Sequence, residues 1–269
     1  ILEKDIRKAI PVLDEFLGKK HEAELKPGEK DDHILVPVDF SPVTIKTCKM
    51  AFNIAAHLQV KLVFMHCYIN PVVHSVPYAD VYVYDSTLLE RMDNAEKNAN
   101  ENFRKFIRKL SADVGKEKWK AVNKEYIIKP GYADEDILAY AHENNTRLIV
   151  MGTGGDSGLV MGSVTADVIY NAKVPVLVVP EDSPEKEILD IKNVVYATNF
   201  DEKDFSAIEK LIGILKPFEV KVFCVHVSRE PNTDWNTARL EGMKNVLQGK
   251  YERKDFACRL LVGENILET

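Results

Sequence analysis

A glycine-rich stretch, MGTGGDSGLVMGSVTADVI, occupies residues 151–169 and suggests specific chemistry. Glycine lacks a Cβ atom, so glycine-rich backbone brings its N–H groups close to a bound anion. The end of the stretch has helical character, and the N-terminus of a helix favours negative charge. The glycines and two hydroxyl residues that would form a phosphate cradle are Gly152, Gly154, Gly155, Gly158, Gly162, Ser163 and Thr165. A flexible connection with Ser163 as a plain N-cap is the competing interpretation, and glycines alone leave the choice even.

The segments around this stretch alternate between short apolar runs and runs of helical period. Five apolar runs are typical of buried parallel strands, at residues 33–39, 60–68, 121–129, 147–152 and 174–180. Four helical runs separate them, at residues 41–59, 88–110, 134–144 and 163–172. Ser41 followed by Pro42 predicts the N-cap and first residue of the first helix. This order predicts an α/β fold with a doubly wound, five-stranded parallel sheet, and it places the glycines at a strand's carboxyl end, where anions bind.

The same glycine-rich stretch also contains a motif typical of serine proteases. GDSG at residues 155–158 resembles the nucleophile motif of trypsin-like serine proteases, and AAHLQ at 55–59 faintly resembles their histidine motif. Those proteases are all-β and usually secreted and disulfide-bonded, whereas this pattern is α/β. His57 falls on the polar stripe of the first helix, where a solvated histidine is expected, and Ser157 has no identifiable base. We therefore favour the phosphate cradle.

Part of the pattern recurs at an offset of 160 residues. Residues 33–68 align without a gap with residues 193–228, which indicates a tandem duplication. The shared positions include Phe40 with Phe200, Ile54 with Ile214, Val60 with Val220, Lys61 with Lys221, and His66 with His226. Gly263 corresponds to Gly131, and the second copy has no counterpart of the last two strands or of the glycines. We predict an N-terminal appendage and tether (1–32), a first domain (33–181) and an incomplete second domain (191–269).

Composition argues against several function classes. The 269 residues carry a net charge of −6, which opposes broad nucleic-acid binding because a polyanion requires a basic face. The four cysteines form no CxxC pair, so their spacing indicates neither a zinc site nor a disulfide framework. No apolar run in the sequence reaches the roughly 18 residues of a membrane span, and no secretory leader is visible. We expect a cytoplasmic protein with reduced cysteines and no membrane or nucleic-acid partner.

The residues at two predicted strand exits resemble those of the universal stress protein family, here in tandem form over residues 33–269. ATP-binding members carry Pro-x-Asp at the first strand, seen here as Pro37 and Asp39. They also carry G-x2-G-x9-G-S/T after the fourth strand, and four residues here are similar to that pattern: Gly152, Gly155, Gly162 and Ser163. The resemblance implies an adenine-nucleotide alpha hydrolase-like fold and a stress-response regulatory protein that binds ATP or AMP, with Mg²⁺ accompanying ATP. It also implies a homodimer or an intramolecular pairing of the tandem copies.

The resemblance assigns each part of the nucleotide to particular residues. Asp39 and Met151 would border adenine and ribose, and Gly152 and Gly155 would border the ribose and first phosphates. The triphosphate would lie against Gly162, Ser163, Val164 and Thr165. Asp39 has a physical rationale as well, since a carboxylate at a strand's carboxyl end accepts hydrogen bonds from ribose hydroxyls or the adenine amine. A cap on the turn into the first helix is an equally weighted interpretation of Asp39.

Two features depart from the family pattern. Six residues, not nine, separate Gly155 from Gly162, so the loop is three residues shorter. A non-nucleotide scaffold of the same fold is therefore the alternative function. In the second copy, Asn199 and Ala197 stand at the positions of Asp39 and Pro37, which predicts a packing role for that half.

Other constellations carry weaker expectations. No base, nucleophile or metal cluster is recognisable beside the glycines, so we expect no enzyme, with slow ATP hydrolysis by water as the exception. His66 and His226 follow apolar strands and are expected to be hydrogen-bonded rather than metal ligands. The tyrosine-rich segment 72–84 is interpreted either as an interaction patch or as a cover over the pocket.

Overall fold

A computed structural model of the chain describes residues 32–69, 86–153, 162–184, 190–228, 234–251 and 256–263. The chain divides into two compact units. One consists of residues 28–188, and the other includes residues 189–269. Residues 1–31 of the predicted N-terminal appendage and tether (1–32) and the tyrosine-rich segment 72–84 lie outside the described residues.

The first unit contains the predicted strands and helices in the predicted order. Its strands are β1 (His33–Pro37), β2 (Lys61–Tyr68), β3 (Lys124–Pro130), β4 (Thr146–Gly152) and β5 (Val176–Val179). Its helices are α1 (Pro42–Leu58), α2 (Ser86–Val114), α3 (Lys116–Ala121), α4 (Ala133–Glu143) and α5 (Ser163–Asn171). Among the described residues of this unit, α3 is the element that the pattern does not predict, because six residues, four of them charged, are too few to show a helical period.

The five strands form one sheet in the order β3-β2-β1-β4-β5. Every neighbouring pair is parallel, with Leu35 opposite Val63 on one side and Ile149 on the other. The α/β class and the five-stranded parallel sheet predicted from the sequence are therefore confirmed. Successive strands β1, β2 and β3 extend the sheet in one direction, whereas β4 returns to the other side of β1.

Strand β1 is the most deeply buried part of the sheet. Ile34, Leu35 and Val36 are each 0% exposed, as expected for a central strand covered on both faces. Leu35 packs in a cluster with residues of β2, β4, α4 and α5, which are Val63, Met65, Ile137, Ala141, Ile149, Met151 and Val168. Burial of these apolar side chains is the main source of the unit's stability.

Helices α1 and α2 cover the other face of the sheet with apolar side chains that recur at helical spacing. Helix α1 starts at the N-cap Ser41 with Pro42 in its first turn, as predicted. It buries Cys48, Ala51, Phe52 and Ala55, and the ring of Phe52 lies 6.1 Å from that of Phe64 on β2. Helix α2 buries Ala99, Phe103, Phe106 and Leu110. Within the described residues, no helix combines the length and hydropathy needed to cross a membrane.

The second unit contains a smaller parallel sheet. Its elements are β6 (Asn193–Ala197), α6 (Glu202–Leu215), β7 (Lys221–Ser228), α7 (Asp234–Tyr251) and β8 (Phe256–Val262). The strands pair in the order β6-β7-β8, so β6 has only β7 as a neighbour in the part of the chain that the structure describes. In the first unit β1 lies between two strands. Val195, which aligns with the fully buried Leu35, is accordingly 68% exposed.

This difference in burial predicts different costs for two aligned substitutions. Leu35→Ala should lower the free energy of unfolding by about 2 to 5 kcal/mol, because it leaves a cavity in the core. Val195→Ala should change it by no more than about 0.5 kcal/mol, because the side chain is already in solvent. Urea denaturation followed by tryptophan fluorescence measures both. Similar costs for the two variants would contradict the assignment of β6 as an exposed strand.

Candidate functional site

The carboxyl ends of β1 and β4 lie side by side at the point where the sheet changes direction. The two strands are paired in parallel with Leu35 opposite Ile149, so continuing that register brings Pro37 and Met151 to the same edge. In open α/β sheets, ligands bind in the crevice at such a switch point. The fold therefore brings the two predicted strand exits together, although they are separated by more than a hundred residues of sequence.

Asp39 lies just after β1, at the turn into α1. Its Oδ1 accepts hydrogen bonds from the Ser41 backbone N–H (2.9 Å), from the Ser41 hydroxyl (2.7 Å) and from the hydroxyl of Thr44. Partial burial would raise the pKa of this carboxyl, but the hydrogen bonds from Thr44 and Ser41 outweigh burial and hold the pKa below its usual value. Within the described residues Oδ2 accepts no hydrogen bond. Asp39 thus caps the turn as an ionised carboxylate and keeps a second oxygen at the sheet edge.

The next residue, Phe40, has a left-handed backbone that is rare for a bulky side chain. Its φ is 66°, a conformation that costs roughly 1 to 2 kcal/mol in an L-residue. Its ring packs 4.3 Å from the ring of His66 and 5.7 Å from that of Phe106. Nδ1 of His66 donates to the carbonyl of Val38 at 2.7 Å, which confirms the predicted hydrogen-bonded histidine. Burial lowers the pKa of His66, although that hydrogen bond and Asp39 oppose the shift. Packing and hydrogen bonding together hold the turn that presents Asp39.

Gly152 ends β4 at a point where the strand lies close against α1. A Cβ atom at this position would lie 2.7 Å from Cγ1 of Val43 and 3.3 Å from Oγ1 of Thr47. The carbonyl of Gly152 accepts a hydrogen bond from the buried hydroxyl of Thr165 at 2.9 Å. Gly152 is therefore needed for packing against α1, and the Thr165 hydroxyl holds the start of α5 to the end of β4.

A backbone hydrogen bond joins Thr153 and Gly162, the residues on either side of the glycine-rich segment 154–161. The N–H of Gly162 donates to the carbonyl of Thr153 at 3.4 Å, and the N–H of Thr153 donates to Val179 on β5 at 3.2 Å. Gly162 is the N-cap of α5 and Ser163 is its first residue, exposed to solvent. The first N–H groups of a helix have no intrahelical partner and are available to an anion. Gly154, Gly155, Ser157 and Gly158 lie outside the described residues.

The remaining predicted site residues, Met151, Val164 and Pro37, have buried or half-buried side chains. The side chain of Met151 is 5% exposed and packs in the core against Val168, so its backbone is the part at the sheet edge. Val164 is half-buried against the same cluster, and Pro37 is half-buried at the end of β1. The assignment of these residues to adenine, ribose and phosphate stays a prediction.

Two residues of α1 at this edge were not singled out by the sequence reasoning. Thr44 reaches the Asp39 carboxylate, and the spacing Asp-x-Ser-x-x-Thr was the available signal for it. Lys46 lies on the same polar stripe of the first helix as His57. Its Nζ donates to the carbonyls of Pro180 (3.1 Å) and Glu181 (3.2 Å) and to that of Ser183, so it ties the segment after β5 to α1. The contacts of Lys46 join residues far apart in sequence, so no local pattern predicts them.

The aligned turn of the second unit keeps the backbone shape but moves the carboxylate. Phe200 also has a φ of 66°, and its ring lies 4.4 Å from that of His226, whose Nδ1 donates to the Thr198 carbonyl at 2.8 Å. Asn199 stands in place of Asp39. The carboxylate is instead that of Asp204 on α6, whose Oδ2 accepts from the Thr198 hydroxyl (2.6 Å) and the Asn199 N–H (3.1 Å). Asn199 therefore has no carboxylate oxygen that would correspond to Oδ2 of Asp39.

The model of the universal stress protein family matches residues 32–180, which is more than half of the chain and includes both strand exits. The chain belongs to the universal stress protein family. It is 30% identical over 157 residues to universal stress protein MJ0531 of Methanocaldococcus jannaschii, covering 57% of this chain and 84% of that protein. It is 27% identical over 149 residues to universal stress protein YxiE of Bacillus subtilis, covering 54% of this chain and 97% of that protein.

A solved structure of a universal stress protein from Archaeoglobus fulgidus has the same fold. It superposes with a TM-score of 0.61 at 19% identity and covers 86% of this chain and 77% of the other. At this identity the likeness concerns the fold alone. The comparisons therefore show the family of this chain and its fold. The carboxyl ends of β1 and β4, referred to below as the β1–β4 edge, form its candidate site.

Because α1 lies so close to Gly152, adding a single methyl group at this position should destabilise the protein. Gly152→Ala should lower the free energy of unfolding by about 1 to 3 kcal/mol, because the new Cβ overlaps the stiff, β-branched Val43. In a double-mutant cycle, Val43→Ala should recover part of that loss. Purely additive effects in urea denaturation would contradict the contact.

The lowered pKa of Asp39 predicts how stability changes with pH. A carboxyl whose folded-state pKa is depressed stabilises the protein above its unfolded pKa of about 3.9, and this contribution is lost as pH falls through the folded pKa. Asp39→Asn keeps an acceptor for Ser41 and Thr44 but removes the charge. The stability gap between wild type and variant should be constant above about pH 5 and shrink below it, staying under about 1 kcal/mol because solvent screens the group. A gap that does not depend on pH in denaturation curves would contradict this role.

Proposed function

We propose that this protein binds an adenine nucleotide of the ATP type at the β1–β4 edge, and that occupancy regulates its contacts with partners in a stress response. The observation that carries the proposal is the position of Asp39 beside the end of β4 and the start of α5, at the switch point of the sheet, in a universal stress protein. Such an edge combines a hydrogen-bond acceptor for a nucleoside with backbone donors for phosphate.

The acceptor is the Asp39 carboxylate. Oδ1 is engaged by Ser41 and Thr44, which orients the group and favours its ionised form. Oδ2 then accepts from a ribose hydroxyl or from the adenine amine. Both are neutral donors, so an exposed carboxylate binds them without burying an unpaired charge.

The donors are the backbone N–H groups at the start of α5. Ser163, Val164 and Thr165 are its first three residues, and their N–H groups face the end of the helix that favours anions. Each N–H to phosphate hydrogen bond contributes roughly 1.5 to 3 kcal/mol. The Thr165 hydroxyl is already used by Gly152, so its contribution to phosphate comes from its backbone. Mg²⁺ accompanies the triphosphate as its counter-ion.

We propose binding without turnover, in the cytoplasm, by a homodimer or by an intramolecular pair of tandem copies. In this proposal the second unit has a packing role, since Asn199 replaces the carboxylate at its strand exit. An ATP hydrolysis assay and light scattering after gel filtration test turnover and assembly separately.

Nucleotide binding is tested by calorimetry with ATP and Mg²⁺ on the purified full chain. We expect saturable binding at one site, weakened at least about tenfold by Asp39→Ala, which removes the carboxylate acceptor, and by Gly162→Val, which puts a branched side chain where a phosphate would approach the first N–H groups of α5. Asn199→Ala, at the aligned position of the second unit, is the matched control and should bind like wild type. Thermal melting establishes that each variant is folded.

The competing function is a scaffold that works through its surface. Ile169 and Tyr170, near the end of α5, are 41% and 89% exposed, which favours a contact surface there. Absence of binding at millimolar ATP would sink the nucleotide proposal and leave the scaffold, with the shortened loop as the physical reason. Equal binding by wild type and Asp39→Ala would place any nucleotide elsewhere on the protein.

A further inference from the structure

Two cysteines of the second unit face each other across neighbouring strands. Cys224 on β7 is directly opposite Cys258 on β8 in the parallel register, and both are free thiols. Neighbouring strands lie about 4.8 Å apart, and residues in register share one face of the sheet. A disulfide requires Cα atoms about 4.4 to 6.8 Å apart, and the strand spacing falls within that range, so the register brings the two thiols within reach of each other. The interaction between the two thiols shifts their pKa values in opposite directions.

The aligned pair in the first unit has a different chemistry. Phe64 and Tyr126 are opposite each other on β2 and β3, and their rings stack at 6.0 Å. The second unit replaces this aromatic pair with two thiols at the same two positions of the sheet. The other cysteines lack such a partner, since Cys67 is opposite Lys129 and Cys48 lies on α1.

The surroundings give the two thiols unequal reactivity. Cys258 is half-buried, whereas Cys224 is 0% exposed. The hydrogen bond from Cys224 holds the pKa of Cys258 below its usual value, against partial burial and with help from the Lys244 ammonium. The same hydrogen bond and burial raise the pKa of Cys224. Cys67 is also half-buried, but burial raises its pKa to about 12. Thiolates are the reactive form of cysteine, so Cys258 is the nucleophile of the pair.

We propose that Cys224 and Cys258 form a reversible oxidation site that responds to hydroperoxides by closing a disulfide between β7 and β8. The Cys258 thiolate attacks one peroxide oxygen; the O–O bond breaks and hydroxide leaves, giving a sulfenic acid on Cys258. The Cys224 thiol then attacks the Cys258 sulfur; the S–S bond forms, the S–O bond breaks and water leaves. Two thiols lose two electrons, and hydrogen peroxide is reduced to two waters once hydroxide regains a proton. The site is independent of nucleotide binding.

The test uses the reduced full chain, treated with hydrogen peroxide at a small molar excess, alkylated under denaturing conditions and mapped by mass spectrometry. Cys224 and Cys258 fall in separate tryptic peptides, residues 222–229 and 255–259. We expect these peptides joined, lighter than their sum by two hydrogen atoms, and separated again by dithiothreitol. Oxidation of Cys258 should exceed that of Cys67 by at least about tenfold, following their thiolate fractions.

Three variants assign the roles of the thiols. Cys258→Ser should abolish the disulfide and leave Cys224 reduced. Cys224→Ser should stop at a sulfenic acid on Cys258 that dimedone traps, and Cys67→Ser should form the disulfide like wild type. The wild-type map decides the proposal even if Cys224→Ser does not fold. Oxidation of Cys67 before Cys258, disulfides between chains, or a 224–258 bond that appears only in urea would each overturn the proposal.

Discussion

The pairing of β1 with both β2 and β4 is the constraint on which the rest of the first unit depends. Strand β1 is buried on both faces and hydrogen-bonded on both edges, so its backbone N–H and C=O groups are satisfied only when β2 and β4 are both in place. That arrangement brings the end of β4 against α1, where the spacing leaves no room for a Cβ at Gly152. The same arrangement creates the crevice at the switch point of the sheet. Core packing and site geometry are thus two results of one strand order.

Both units have a carboxylate at the turn between their first strand and first helix, but it lies on opposite sides of that turn. Each has a left-handed phenylalanine after its first strand, held by a histidine that donates to the preceding turn. In the first unit the carboxylate stands on the strand side, at Asp39, and accepts from hydroxyls of α1. In the second it stands on the helix side, at Asp204, and accepts from the strand exit. A carboxylate near a helix N-terminus is stabilising from either side, but only the first arrangement leaves an oxygen at the sheet edge.

A second divergence concerns positions inside the sheets. A stacked aromatic pair between β2 and β3 is matched by two thiols between β7 and β8. Aromatic rings contribute buried area, whereas two small thiols contribute less area and a distinct reactivity. The two units therefore share the backbone geometry of their first turns. They differ in the position of the carboxylate at that turn and in the side chains paired between their second and third strands.

The sequence by itself determined the α/β class, the five parallel strands, the Ser41–Pro42 start of α1 and the family, because these rest on local periodicity, capping residues and short motifs. It also predicted Pro37, Asp39 and the residues around Gly162 as site residues. It did not distinguish a ligand glycine from a packing glycine, and it assigned to phosphate a Thr165 hydroxyl that bonds to Gly152. Nor did it single out Thr44, Lys46 or the opposed pair Cys224 and Cys258. Thr44 was missed even though its partner Asp39 lies only five residues away. The roles of Gly152, Lys46 and the cysteine pair were decided only by the tertiary structure, because each depends on a distance between segments far apart in the chain, set by strand order and register rather than by neighbouring residues.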